Sequence, residues 1–161
     1  MNTTPPKPCK KPKRKTDRQK QVRRMDDKFA VLIKLRDRLI CQRCGSQAFI
    51  TDNGKIPQGL DNSHWIGRKY YNTRWHYMNC HTNCVGCHFH FHQNPREYEN
   101  WMYDKYGQGA VDLLRLKSKQ IFKDDLTFIE LWIDGELKKH LTMYPRLNYD
   151  FLKPIYRGYI K

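Results

Sequence analysis

Residues Asn79–His92 read NCHTNCVGCHFHFH, three cysteines and four histidines in fourteen consecutive positions. Cys84 and Cys87 form a Cys-x-x-Cys pair, a spacing that lets two sulfurs grip one ion from a helix start. A second pair, Cys41 and Cys44 in CQRCG, has the shape of a zinc knuckle in which Gly45 permits the tight turn. Four soft sulfur ligands select Zn²⁺ and fill its shell, so the expected role is structural. One such pair alone would be a weak signal against ordinary buried thiols; two in one chain are a strong one. Cys44 and Cys84 stand 84 − 44 = 40 positions apart, well beyond the roughly 15–20 of a plain zinc ribbon. The clip must therefore close over an inserted segment. Cys9 and Cys80 fall off this frame and are expected as free thiols.

The histidines after Cys87 suggest a second site. His88 and His92 are four apart and share one helix face, while His90 points roughly 200° away from His88. Surface histidines in a row are the plain alternative, but these follow a cysteine clip and face an inserted segment that carries Asp61 and His64.

Working outward, the spacing of Met25, Phe29, Leu32, Ile33, Arg36 and Leu39 predicts an amphipathic helix over Met25–Leu39, with Asp26 near its start. QAFIT (Gln47–Thr51) and LDNSHWI read as two strands joined across Asn53-Gly54, the strongest hairpin signal in the chain. GRKYYNTRWHY, from Gly67 to Tyr77, reads as a basic, aromatic loop. A helix is expected from about Cys84 to Gln93. Asn94, Pro95 and Glu97 mark a fresh helix start that Gly107 ends. Another helix is expected over Gln108–Lys119. Thr127–Leu141 reads as a last helix opening on TFIE, unless Asp134-Gly135 turns it into a hairpin. The fold class is α+β.

The 161-residue chain holds 31 Lys and Arg against 16 Asp and Glu, a net charge of +15. Residues 1–24 hold ten of the basic residues and one acid, Asp17, so they carry 10 − 1 = +9. Such a segment buries too little apolar surface to offset its ordering entropy and is expected to be a disordered tail. It serves either as a solvated extension or as a phosphate-binding arm including Lys11, Lys13 and Arg14. The remaining 15 − 9 = +6 favours the arm. Arg68, Lys69 and Arg74 interleave charge with Tyr70, Tyr71 and Trp75, a pattern suited to phosphates and unstacked bases. No apolar run approaches the roughly 18 residues of a membrane span, and the start of the chain lacks the apolar segment of a signal peptide. A cytoplasmic protein is expected, which again favours zinc over disulfides.

The order His64, Asn79, His88, enclosed by cysteine pairs, resembles the HNH (ββα-metal, His-Me finger) nucleases. RDRLICQRCG, the Asp-x-x-His of LDNSHW, Arg74 and NCHTNCVGC resemble more closely the NinG/Rap recombination nucleases of lambdoid phages, over about residues 36 to 115. The resemblance implies a zinc-stapled ββα-metal core over residues 25–119, with the tail before it and a C-terminal helical extension over 120–161. It implies that His64 is the general base, that Asn79 braces the connecting loop, and that His88 ligates a catalytic Mg²⁺ or Mn²⁺. Asp61 matches the acidic position three before the base, and His92 would help. Ser63 departs from the Asp or His that many HNH enzymes place directly before the base. The implied substrate is branched DNA such as a Holliday junction, cut in phage recombination within the host cytoplasm alongside recombination proteins. A homodimer, with the C-terminal helix as its interface, suits cutting both arms. With an ordinary histidine pKa near 6.5, activity is expected to fall below about pH 6. A general or homing-type HNH nickase and a non-catalytic zinc module that binds nucleic acid are the alternatives.

Overall fold

A computed structural model of the chain describes residues 14–147. Cys9, Lys11, Lys13 and the aromatic, basic segment from residue 148 onward lie outside the described residues.

Helix α1 (Asp17–Arg36) begins eight residues before the expected Met25 and ends before Leu39. The segment expected as a disordered tail is therefore helical from Asp17 onward. The sequence reason is twofold. Thr16 and Gln19 form a reciprocal capping box, with the Gln19 amide donating to Thr16 Oγ1 (3.2 Å) and Thr16 N donating to Gln19 Oε1 (2.9 Å). Val22 also extends the apolar stripe of Met25, Phe29, Leu32 and Ile33 one turn upstream, and all five are buried. At the other end Arg38 and Leu39 take φ of 56° and 58°, which breaks the helix.

The expected hairpin across Asn53-Gly54 does not form. Strand β1 (Leu60–His64) pairs antiparallel with β2 (Cys80–Cys84), placing Leu60 opposite Cys84 and His64 opposite Cys80. The Asn53-Gly54 turn itself is present, with Gly54 at φ 69° and its amide donating to Thr51 O (2.8 Å). Gln47–Thr51 makes only a single bridge, Ile40 to Gln47. β2 wins the pairing because α1 holds it in place. Asp37 Oδ2 accepts from Thr82 N (2.7 Å), Thr82 Oγ1 donates to Ile33 O (3.2 Å), and Arg36 donates to Cys80 O (2.8 Å).

The segment Gly67–Tyr77 holds a four-residue helix, α2 (Tyr71–Arg74), within the expected loop. Helix α3 (Val85–Gln93) follows β2 directly and completes a ββα unit. α4 (Pro95–Tyr106) starts on Pro95 and stops at Gly107, whose φ of 79° is the left-handed stop glycine favours. α5 (Gln108–Lys119) follows. α6 (Leu126–Leu141) is one helix through Asp134-Gly135, capped by Asp125 rather than opened by the TFIE box.

Two apolar clusters organise these elements. Leu126, Ile133, Leu137 and Leu141 of α6 pack with α1, Trp75 and Cys80. The second cluster joins Phe91, Tyr98, Met102, Val111 and Leu114 across α3, α4 and α5. α6 is thus a core layer on this face, while Phe128, Leu131 and Trp132 of the same helix are exposed. Lys28, fully buried, donates to Glu130 (3.0 Å) and Asp134 (2.9 Å), and Arg24 donates to both oxygens of Glu130 (2.6 and 2.9 Å). Burial pushes the Glu130 carboxyl up, but the hydrogen bonds from Arg24 and Lys28 outweigh it and hold it down at about 2. The stability Glu130 contributes is present above the usual carboxylate pKa near 4.3 and is lost only as pH falls toward 2. Glu130→Leu is expected to cost about 3–5 kcal/mol in urea unfolding at pH 7, because it strands the Lys28 charge. A change below about 1 kcal/mol would mean that Asp134 alone satisfies Lys28.

Candidate functional site

The four cysteines converge as their spacing predicts. The sulfurs of Cys41, Cys44, Cys84 and Cys87 all lie within 4.8 Å of one another, and Cys44 and Cys84 stand 3.9 Å apart. Tetrahedral zinc bonds of about 2.3 Å separate their sulfurs by about 3.8 Å, so the donor set and its spacing fit the ion. The knuckle turns through Gly45 at φ 75°, and Gly45 N donates to Cys41 O (2.9 Å). Gln42 N donates to Thr82 O (2.8 Å), so the knuckle is pinned to β2. Burial raises the Cys41 thiol, but backbone N–H groups of Cys44, Cys84 and Arg43 outweigh it and bring it down to about 7. Arg43 donates to Cys87 Sγ (3.7 Å) and stands over the Phe91 ring (5.4 Å), tying the clip to α3. Cys80 lies outside this cluster, buried, with its thiol directed at Arg74 O (3.6 Å).

Alternation along the two strands sorts the remaining groups onto two faces. Asn62, His64, Cys80 and Thr82 point toward α1, whereas Asp61, Ser63 and His81 point toward α3 and α4. On the α3 side Asp61 Oδ2 lies 3.1 Å from His88 Nδ1, and the His88 and His92 rings are 4.9 Å apart. These three do not close into a compact ligand set. Among the described residues the cysteines are the one group of three or more ligand side chains near enough to share an ion. His92 instead lines a cleft of about 200 Å³ with Ser63, His64, Trp65, Phe91 and Tyr98.

His64 ends β1, with Nε2 3.1 Å from Arg74 O. A carbonyl only accepts, so this contact favours a proton on Nε2 and a lone pair on Nδ1, while the Asn62 backbone also hydrogen-bonds the ring. Burial, then the nearby Arg68 charge, pushes His64 from 6.5 down to about 4. It is neutral throughout the physiological range, which moves the expected acid limb well below pH 6. Asn79 is buried and braces the connecting loop at both ends. Its Oδ1 accepts from Ile66 N (2.7 Å), and its Nδ2 donates to Ile66 O and Thr73 O (2.9 Å each).

The proposed DNA contacts divide. Arg14, Arg68 and Lys69 are exposed, and Lys69 stands over the Tyr70 ring (4.9 Å). The Arg74 guanidinium is engaged by Asp26 at 2.8 and 2.5 Å, so it is not a free phosphate contact. Trp75 is buried, and Tyr71 packs against it and Phe122, so neither ring offers a free stacking platform.

His81 has no role in the sequence reading, yet it is among the most buried side chains. Its ring nitrogens face Tyr106 Oη (2.8 Å) and Tyr98 Oη (3.4 Å), and Trp101 packs edge-on at 4.7 Å. Burial, then the charges of Lys105 and Arg36, holds it well below 6.5. A histidine kept neutral when folded binds a proton on unfolding, so stability falls as pH drops below about 6.5. His81→Phe is expected to flatten this loss between pH 7.5 and 5.5 in urea midpoints. An unchanged slope would assign the loss to other groups.

No protein-family model, curated protein or solved structure matches this chain. Among the described residues no helix is long and apolar enough to cross a membrane.

Proposed function

We propose that the protein is a metal-dependent, HNH-type endonuclease that hydrolyses phosphodiesters in branched DNA during phage recombination. The observation that carries this reading is the His64 imidazole, held through Nε2 by a backbone carbonyl at the end of β1, inside a zinc-clipped ββα unit. That arrangement presents a neutral base with its lone pair on Nδ1, ready to take a proton from a water aligned with the scissile phosphorus. Asn79 keeps the loop beyond His64 in place. The reading also requires Asp61 and His88, which point to the other face of the strand pair from His64, to hold a divalent ion as a pair, with water and substrate phosphate completing its shell. When bound, such an ion polarises a phosphate oxygen and offsets charge on the leaving oxygen. Arg14, Arg68 and Lys69 supply exposed cations for the DNA backbone, and the charge of residues 1–24 suggests the same task for Lys11 and Lys13.

A second reading, a non-catalytic zinc module that binds nucleic acid, is favoured by one observation. Asp61, His88 and His92 do not converge as the cysteines do. Incubating the protein with an end-labelled four-way junction and with linear duplex of the same sequence, with and without Mn²⁺ or Mg²⁺, separates the readings. Metal-dependent cutting of the junction above the duplex supports the proposal. Equal cutting of both means a general nickase. Salt-sensitive binding with no cutting means the zinc module.

A further inference from the structure

We infer that Asp26, on α1 and outside the ββα unit, is a positioning residue that fixes the tautomer of His64 through the peptide joining Arg74 and Trp75. The inference rests on the proposed role of His64 as the base. Three donors from two consecutive residues converge on this one carboxylate. Oδ1 accepts from Arg74 Nε (2.8 Å) and Trp75 Nε1 (3.0 Å), and Oδ2 accepts from Arg74 Nη2 (2.5 Å). The carbonyl that meets His64 Nε2 belongs to the peptide between those same two residues. Asp26 therefore grips the side chains on both sides of the peptide whose oxygen orients the imidazole.

The surroundings leave that peptide little freedom. Trp75 is buried, and Arg74 Nη1 donates to Arg68 O (2.8 Å), closing the 68–74 turn on itself. Cys80, buried opposite His64, directs its thiol at the same carbonyl. With Asp26 in place, the Arg74 oxygen presents a fixed acceptor, Nε2 keeps its proton, and Nδ1 is left as the acceptor. Without it, a largely buried guanidinium and an indole N–H lose their shared partner. Arg74 would turn toward solvent, and the peptide would be free to rotate away from the imidazole. Asn79 still holds the loop at Ile66 and Thr73, so the effect stays local. Two plainer possibilities compete: the Asp26–Arg74 pair is packing only, or Arg74 exists to meet phosphate and Asp26 merely parks it.

The test uses the full-length, zinc-loaded protein with ¹⁵N-labelled histidine. Long-range ¹H–¹⁵N spectra report the tautomer of each ring, and His64→Gln assigns the His64 signals. In the wild type, His64 is expected to show a protonated Nε2 and an unprotonated Nδ1. Asp26→Asn keeps the shape but removes the charge, and Arg74→Lys keeps a cation for DNA but cannot bridge Asp26 twice. Both are expected to move the His64 signals toward a tautomer mixture. Both should lower kcat on the junction by about 10- to 100-fold with KM within about two-fold. Unchanged His64 signals in both variants would overturn the inference. Unchanged signals in Arg74→Lys together with a raised KM would make Arg74 a phosphate contact instead. A wild type that cuts nothing would sink the nuclease reading alone, because the spectra decide the positioning role without any cleavage.

Discussion

Cys84→Ala is expected to fall from about one zinc per chain to near none and to lose protection from hydrogen exchange across β1, β2 and α3. Structural zinc in small sites contributes on the order of 10 kcal/mol of apparent binding energy. The reason lies in what the cysteines connect. The sheet has two strands, which are marginal alone, and the segment between Cys44 and β1 makes a single bridge. Cys84 ends β2 and precedes the first turn of α3, so an ion held by the four cysteines would join the knuckle, the strand and the helix at one point. α1 and α6 have their own apolar cluster and the Lys28–Glu130 network, so this layer is expected to stay protected. Cys80→Ala is the control: a buried cysteine off the cluster should keep its zinc and cost only about 1–2 kcal/mol. Metal analysis and exchange mass spectrometry read both. Retained zinc in Cys84→Ala, or loss in Cys80→Ala, would mean that the ligand set is wrong.

The clip was legible because metal binding is written in spacing: two Cys-x-x-Cys pairs state their geometry wherever they stand in the chain. The helices from α3 to α5 were legible for a related reason, since Pro95 and Gly107 are local signals that tertiary packing had no cause to override. The hairpin was not legible. Asn53-Gly54 does turn the chain, but a turn does not guarantee strands, and β2 drew β1 away through bonds to Asp37 and Ile33 that local sequence does not reveal. Missing β2 hid His81 as well. Once Cys80–Cys84 is a strand paired to β1, alternation places His81 beside Ser63 and beneath α4, and the run of histidines divides into one core residue and several near the surface. Asp26 left a fainter trace, an acid between the core residues Met25 and Phe29 on a helix whose apolar face is buried. Arg74 and Trp75, 48 and 49 positions away, are what give it meaning.

His64→Gln is expected to lower junction cleavage by about 10²- to 10⁴-fold while leaving junction affinity and zinc content unchanged. Its pH dependence tests the base more sharply than its size. kcat/KM reports the free enzyme, where His64 is pushed down to about 4 by burial. The active form of a general base is the unprotonated one, so a lowered pKa extends activity toward acid. The acid limb is expected near pH 4, and the rate on folded protein should stay flat from about pH 5.5 to 8. A limb centred near 6.5 would mean that His64 is solvated and not held at Arg74 O. The same shift acts on folding with the opposite consequence. His64, His76 and His81 are all kept below 6.5 when folded, so the unfolded chain binds more protons and stability drops as pH falls from about 6.5. Any loss of rate between pH 5 and 6.5 is thus expected to track the folded fraction followed by near-ultraviolet circular dichroism. Stabilising the fold at those pH values should restore the rate if burial of His64 is what sets its protonation.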